Sequence, residues 1–393
     1  MRNKMTMKRM KIYEAFFIIG FLLLCLSCNK SSQIQDKALT HIDIRSLPEK
    51  NILMDNVDKY RFVKLKTTDN CLIREIEKID FDDDKMFIRD RNNKVFVFDN
   101  KGVFLNEIGH VGSGPDEQLG IYDFFLDRKM KQINIFDMLK STIYFYTYTG
   151  ELIDSKKLDN NLFKDFSVID IANDNNLILT LYNSSVSLFN FRVVNGNDYK
   201  KIIDCIPYVA VGEEPIAFYL SKTARSREDL YLSAFISDTI YKYDNYQNTI
   251  LPAIVFEGEY EPLTKEDVAD KSFELAMEVN AIAKLKKRSV GIRNLYATNE
   301  YLHFLFEMKG KVYRLFWNLE RQTGSYYRYV CESTIANFFS YVIGATDDAF
   351  VCAIPAYEAI RHNWNENQNA KSVVDNTLED DNPIIAFYTI INE

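Results

Sequence analysis

Few of the reactive side chains in this 393-residue chain share a spacing that chemistry requires. The four histidines, His41, His110, His303 and His362, fall nowhere near the HxH or HExxH spacing of a metal pair. His303 alternates with apolar residues in a strand and reads as a packed or surface side chain rather than a ligand. Asp80, Asp82 and Asp84 alternate like the start of a calcium loop. Such a loop needs Gly at its sixth position and Glu at its twelfth, and Lys85 and Arg91 stand there. A β-turn between strands is the better reading. The most chemically interesting polar segment is Gly109-His110-Val111-Gly112-Ser113-Gly114-Pro115-Asp116-Glu117. It lacks the Lys-Ser/Thr that ends a P-loop, and Ser113 lies between glycines unlike the serine of a nucleophile elbow. It has two readings. One is a tight connection between repeats. The other is a ligand loop of His110, Gly112, Ser113, Gly114, Asp116 and Glu117, whose backbone N–H groups meet an anionic or hydroxyl-rich molecule. No catalytic residue, metal ligand or cofactor motif is assigned. Paired carboxylates for glycosidic chemistry carry no local motif by which to find them.

Beyond residue 28 the cysteines are Cys71, Cys205, Cys331 and Cys352, far apart and without a CxxC pair. Buried free thiols on strands are expected, with a disulfide as the alternative in an oxidising compartment. Tyr144-Phe145-Tyr146-Thr147-Tyr148 and Tyr326-Tyr327-Arg328-Tyr329 could stack on sugars. On a strand, alternate residues face opposite sides, so most of these rings are expected in the core. Asp238-Thr239-Ile240 fits an Asp-Ser/Thr-apolar O-glycosylation pattern, and equally a strand entrance.

The elements that position these residues come from a repeat. A first strand recurs as Met86-Phe87-Ile88, Ile133-Asn134-Ile135, Leu177-Ile178-Leu179, Leu230-Tyr231-Leu232, Leu302-His303-Phe304 and Phe350-Val351-Cys352. A second recurs in step as Val95-Phe96-Val97, Ile143-Tyr144-Phe145, Val186-Ser187-Leu188, Ile240-Tyr241-Lys242 and Val312-Tyr313-Arg314. Asp- and Asn-rich turns, such as Asp82-Asp83-Asp84 and Asp174-Asn175-Asn176, separate them. Four short strands per repeat is the signature of a propeller blade. The chain is therefore read as all-β, a six-bladed β-propeller over residues 59–393. One long interval has a visible cause: residues 264–288 follow helical spacing through Phe273, Ala276, Met277, Ala281 and Leu285. They are read as a helical insertion between blades four and five. The strand Tyr60 to Lys66 has no blade of its own and is expected to close the last one, removing a bare sheet edge.

The N-terminus reads as an export signal over residues 1–27, with a basic start followed by the apolar run Ala15 to Leu26. That run is too short for an ordinary transmembrane helix. It ends in Cys25-Leu26-Ser27-Cys28, which resembles a lipobox with Cys28 as the lipidated residue and Cys25 where Leu is usual. Acyl chains on Cys28 would hold the protein to a membrane. Residues 28–58 are read as a tether. Loss of the leader takes the formal net charge from −8 to −12. An acidic domain without a basic cluster is a poor partner for nucleic acid. The segment Asn29-Lys30-Ser31-Ser32-Gln33 lacks an acidic export run, so a periplasm-facing anchor is expected ahead of surface display.

Residues 81–88, 95–99 and 109–115, with Asp238-Thr239-Ile240-Tyr241 and the ending Asp380-Asp381-Asn382-Pro383-Ile384-Ile385, resemble the Bacteroidetes six-bladed β-propeller lipoprotein family, an NHL-like group of unknown function. The resemblance covers about residues 45–393. It implies the fold and an exported address, and it carries no functional residues. Two functions are expected from such a shape. The first is a non-catalytic envelope scaffold binding a protein, peptide or glycan. The second is a carbohydrate-active hydrolase or lyase with acidic residues at the channel mouth. Three or more facing ionisable groups at one end of the channel would favour the enzyme, and an apolar channel would count against it.

Overall fold

The computed structural model describes residues 39–391 except 51–52, 54–56, 115, 164–165, 174, 182–187, 208–222, 235, 259–260, 265–286, 329–338, 340, 363 and 365–367. The described strands form six antiparallel four-stranded blades. Blade 1 consists of Ile76–Asp82, Lys85–Asp90, Val95–Asp99 and Phe104–Ile108. The innermost strands of the next five are Ile121–Asp127, Phe166–Ile171, Thr223–Ser226, Arg293–Ala297 and Val342–Ala345. The predicted first strands are the second strand of each blade. The predicted second strands are the third, with one correction. In blade 3 that strand is Phe189–Val194, not Val186-Ser187-Leu188. The registering apolar pair there is Phe191 and Val193, both fully buried, and residues 186–187 lie outside the described residues.

Aromatic and β-branched residues dominate the strands because each blade is covered on both faces. The core is not one mass but a cluster at every blade boundary. Phe87, Val97, Phe124 and Tyr146 fill the boundary of blades 1 and 2. Phe136, Phe166 and Leu179 fill the next. Equivalent clusters follow to the boundary of blades 6 and 1, where Val63 and Phe387 meet Ile79 and Phe96. Both alternating sides of a strand are therefore buried, as in the unbroken buried run Leu177–Leu181. Most of the tyrosine-rich runs lie here, Tyr144, Tyr146, Tyr148, Tyr326 and Tyr327 all being buried.

The ring closes through the N-terminal strand Val57–Lys64, which pairs antiparallel with the last strand, Ile384–Ile390. The preceding segment is more than the expected tether. Thr40–Asp43 adds in parallel to the outer edge of blade 4, and Glu49–Lys50 to that of blade 5. Ile42 and Ile44 are buried in the cluster between those blades. Apolar side chains at these two positions explain why the segment adheres to the rim. Among the described residues, blade 6 alone departs from hairpin order. Helices α1, Ala356–Arg361, and α2, Gln368–Val374, intervene before its third strand. The predicted insertion over 264–288 falls almost wholly outside the described residues. Its flanks, Glu261–Pro262 and Arg288–Ser289, pair in parallel. The leader and Cys28 also lie outside the described residues, and no described helix is long and apolar enough to cross a membrane.

Candidate functional site

The innermost strands of all six blades border a cavity of about 1650 Å³, the central channel. Its wall is uneven. On blades 1 to 4 it carries Lys78, Asp80, Asp123, Arg128, Asp170 and Arg225. On blades 5 and 6 it carries Asn294, Tyr296, Ala297, Ile343, Gly344 and Ala345. The small wall of blade 6 has a packing cause, since a Cβ on Gly344 would stand 2.7 Å from the Ile79 side chain of blade 1.

The charged wall is built from one aspartate on each of the first three innermost strands. In each case one carboxylate oxygen accepts from the following backbone N–H: Asp80 from Phe81 at 2.8 Å, Asp123 from Phe124 at 2.8 Å and Asp170 from Ile171 at 2.7 Å. Each aspartate takes its cation from a neighbouring blade. The Lys78 ammonium donates to Asp123 at 2.7 Å, and Arg128 to Asp80 at 2.7 Å. Arg225 reaches Asp170 at 3.4 Å, while the Thr223 hydroxyl donates to its other oxygen at 2.9 Å. Asp123 is closed off further by the Ile169 N–H of blade 3, at 3.2 Å. Burial alone would raise the Asp170 carboxyl. Arg225, Lys78, the Ile171 N–H and Arg128 outweigh it and hold the group below the ordinary carboxylate value. For Arg128, burial works against the charge, but Asp80, Asp170 and Asp82 overcome it and raise the guanidinium above its ordinary value.

One mouth of the channel is rimmed by the turns between first and second strands, and polar bonds link these turns from blade to blade. Lys131 contacts Asp82 and Asp83 of blade 1 at 2.9 and 2.8 Å. The Lys129 ammonium donates to the Asn173 carbonyl, and the Asn173 amide to Glu228 at 2.5 Å. The Arg227 N–H donates to the Asn299 side chain at 2.9 Å, and the Asn299 N–H to the Asp347 carbonyl at 2.7 Å. Thus Asp82 stands on a strand and Asp83 and Asp84 in the turn, with Asp83 at φ 52°, a conformation Asp tolerates. Among the described residues no group of three or more His, Cys, Asp or Glu is arranged to hold a metal ion.

The glycine-rich loop does not border this channel. It connects the outer strand of blade 1 to the inner strand of blade 2, and its own side chains satisfy it. The Glu117 carboxylate accepts from the Gly114 N–H at 2.7 Å. The Gly112 N–H donates to the Gln118 carbonyl at 2.8 Å, and the His110 N–H to the Gln118 side chain at 2.9 Å. The Lys140 ammonium donates to the carbonyls of Gly114 and Glu117. The glycines admit these groups: a Cβ on Gly112 would stand 2.1 Å from Glu117 Oε2, and Gly109, at φ 71°, would place one 2.4 Å from Gln118 Oε1. The concavity for an anion is thus filled by the chain's own carboxylate. His110 and Asp116 are exposed beside it, and Ser113 is exposed at its tip.

The remaining sites are accounted for structurally. His303 is buried, stacks on Phe316 at 4.7 Å and lies 3.2 Å from the Leu315 carbonyl. Burial, with Arg314 beside it, lowers its imidazole to about 3. His41 contacts Glu257 at 2.6 Å where the rim strand joins blade 4, and His362 packs on Trp364. Cys71, Cys205 and Cys352 are buried free thiols, Cys71 in a loop rather than on a strand. Burial pushes the Cys71 thiol up to about 12. Cys331 lies outside the described residues. Thr239 opens its strand, and its hydroxyl donates to Asp238 at 3.0 Å. Of the channel aspartates the sequence singles out Asp80 alone, in its alternation with Asp82 and Asp84, and Asp123 and Asp170 escaped it. Their signal was an Asp between apolar residues in each of the first three repeats: Ile79-Asp80-Phe81, Tyr122-Asp123-Phe124 and Ile169-Asp170-Ile171.

Residues 39–389 match a family described as Domain of unknown function (DUF4934). No curated protein matches the chain. Among solved structures, a Bacteroides fragilis NCTC 9343 protein described as exported is similar over 90% of this chain and 100% of its own, with a TM-score of 0.73 and 18% identity. A DUF4221-family member from Bacteroides vulgatus ATCC 8482 is similar over 85% of this chain and 97% of its own, with a TM-score of 0.55 and 9% identity. At these identities the likeness is one of fold.

Proposed function

The chain belongs to the DUF4934 family, and from that premise we propose that it is an exported, non-catalytic binding protein of the cell envelope that holds a protein, peptide or glycan partner at its central channel. The observation that carries this reading is the pairing of the channel charges. Asp80, Asp123 and Asp170 each have a cation from an adjoining blade. A general acid needs a carboxyl raised toward the working pH. Burial would raise the Asp170 carboxyl, but Arg225 and Lys78 hold it below the ordinary carboxylate value. A wall of fixed donors and acceptors is instead a preorganised recognition surface, which limits the ordering cost of binding. The exported address rests on the basic and apolar leader that precedes Cys28, and on the similar fold of a Bacteroides fragilis protein described as exported. Lipidation of Cys28 would fix the domain to a membrane facing the periplasm.

The cluster of ionisable groups also meets the condition set above for a hydrolase or lyase, which keeps that second reading in view. Calorimetric titration of candidate ligands into the wild-type chain and an Arg128→Gln/Arg225→Gln variant tests the proposal. Binding that weakens at least tenfold in the variant, with no turnover of the ligand, is expected. Turnover abolished by Asp80→Asn would establish the enzyme instead. Fractionation of cells carrying Cys28→Ala tests the address, and release of the protein from the membrane fraction is expected.

A further inference from the structure

Resting on that channel-binding reading, we infer that the site takes an uncharged, hydroxyl-rich ligand of the oligosaccharide class. The deep wall is electrically balanced. Lys78, Arg128 and Arg225 are matched by Asp123, Asp80 and Asp170 at 2.7, 2.7 and 3.4 Å. A charged ligand entering between these groups must displace one member of a pair and leave its partner unmatched in a partly desolvated wall. A hydroxyl group can donate to a carboxylate and accept from a guanidinium without separating them. The carboxylates keep room for this. Both bonds to Asp80 fall on Oδ1, which leaves the accepting capacity of its second oxygen.

The rest of the channel narrows the class in the same direction. At the mouth Asp83 and Asp84 are matched by Lys131 and Lys85, while Asp347 and Asp348, with Arg61 near the latter, add acidic groups that oppose an anion such as a polyuronate. The facing wall offers neutral amide and hydroxyl chemistry from Asn294 and Tyr296 together with the apolar surface of Ala297 and Ile343. A sugar ring presents the matching combination of hydroxyl edges and C–H faces. A cavity of about 1650 Å³ has room for several such rings.

The test is a thermal-shift and calorimetric panel on the full chain. The probes are neutral hexasaccharides of glucose, mannose and xylose, hexalysine, hexaglutamate and polygalacturonate, each applied at 20 and 300 mM salt. The expected result is a raised melting temperature with at least one neutral hexasaccharide. Its affinity should change less than twofold between the two salts and fall tenfold or more in Asp170→Asn. If Asp170→Asn does not fold, Thr223→Val removes one bond to the same carboxylate, and a threefold loss is expected. Binding confined to hexalysine, hexaglutamate or polygalacturonate and lost in the channel variants overturns the ligand class and leaves channel binding standing. Saccharide binding that neither variant weakens overturns the channel as the binding site. No binding by any probe overturns both.

Discussion

The Lys78 ammonium crosses from blade 1 to blade 2 and meets the Asp123 carboxylate at 2.7 Å, where the aspartate side chain is only 5% exposed. Asp123 also receives the Phe124 and Ile169 N–H groups, so this one carboxylate ties three consecutive blades together at the channel.

Removing only the cation leaves a buried carboxylate without its counter-charge. Lys78→Met is expected to cost about 3 kcal/mol in denaturant unfolding. The double variant Lys78→Met/Asp123→Asn should cost clearly less, because the stranded charge is gone. A single-variant cost under about 1 kcal/mol would show that the backbone donors alone suffice to hold Asp123.

Asn382 is the corresponding tie at the ring closure. Its side-chain oxygen accepts from the Ile73 N–H at 2.7 Å, and its amide donates to the Cys71 and Lys66 carbonyls at 3.0 and 3.1 Å. Asn382→Leu strips the partners from those buried backbone groups. The expected loss is about 3 kcal/mol, read from the shift in denaturation midpoint. An unchanged midpoint would mean that water or local rearrangement replaces the amide.

Two buried groups contribute to the response to acid. The His303 imidazole is lowered to about 3, against an ordinary value of about 6.5. Its neutral form contributes fully above pH about 6.5, and that contribution falls as the pH drops from there toward the folded value. The limiting slope is about 1.4 kcal/mol per pH unit. Asp170 is lowered by the bonds and charges that outweigh its burial. Its contribution is complete above the ordinary aspartate value of about 3.9 and is lost below it, as the pH falls through the folded value. Stability measured from pH 7 to 3 should therefore fall in two stages. His303→Phe should flatten the upper one and Asp170→Asn the lower one.

The segment before the closing strand is part of the folded domain. Ile42 and Ile44 are 1% and 2% exposed in the cluster shared by blades 4 and 5. A chain beginning at residue 53 is expected to melt several degrees below one beginning at residue 39, because it loses both isoleucines and two edge strands. Equal melting temperatures would return residues 40–52 to the role of a spacer.

Much of the architecture follows from local pattern. Aromatic and β-branched triplets such as Met86-Phe87-Ile88 and Ile133-Asn134-Ile135 recur at blade length, and Asp/Asn turns punctuate them. Each blade must bury both faces, so the repeat itself implies stacking around an axis. The unpaired Val57–Lys64 strand implies closure against the last blade. The rim strands were harder to see, because Thr40–Asp43 and Glu49–Lys50 are short, mostly polar and separated from their partners by more than 200 residues.

The site divides in the same way. Sequence by itself leaves Gly109 to Glu117 open between a tight connection and a ligand loop, places Asp80 with Asp82 and Asp84 at a turn, and does not single out Asp123 or Asp170. Only the tertiary structure decided which of these lines the channel. The loop turns its own Glu117 carboxylate onto the Gly114 N–H, while the channel gathers three aspartates and three cations from four blades. Local propensity acts over a few residues. Partners such as Lys78 and Asp123, or Asp170 and Arg225, lie 45 and 55 residues apart and meet only when the ring is complete.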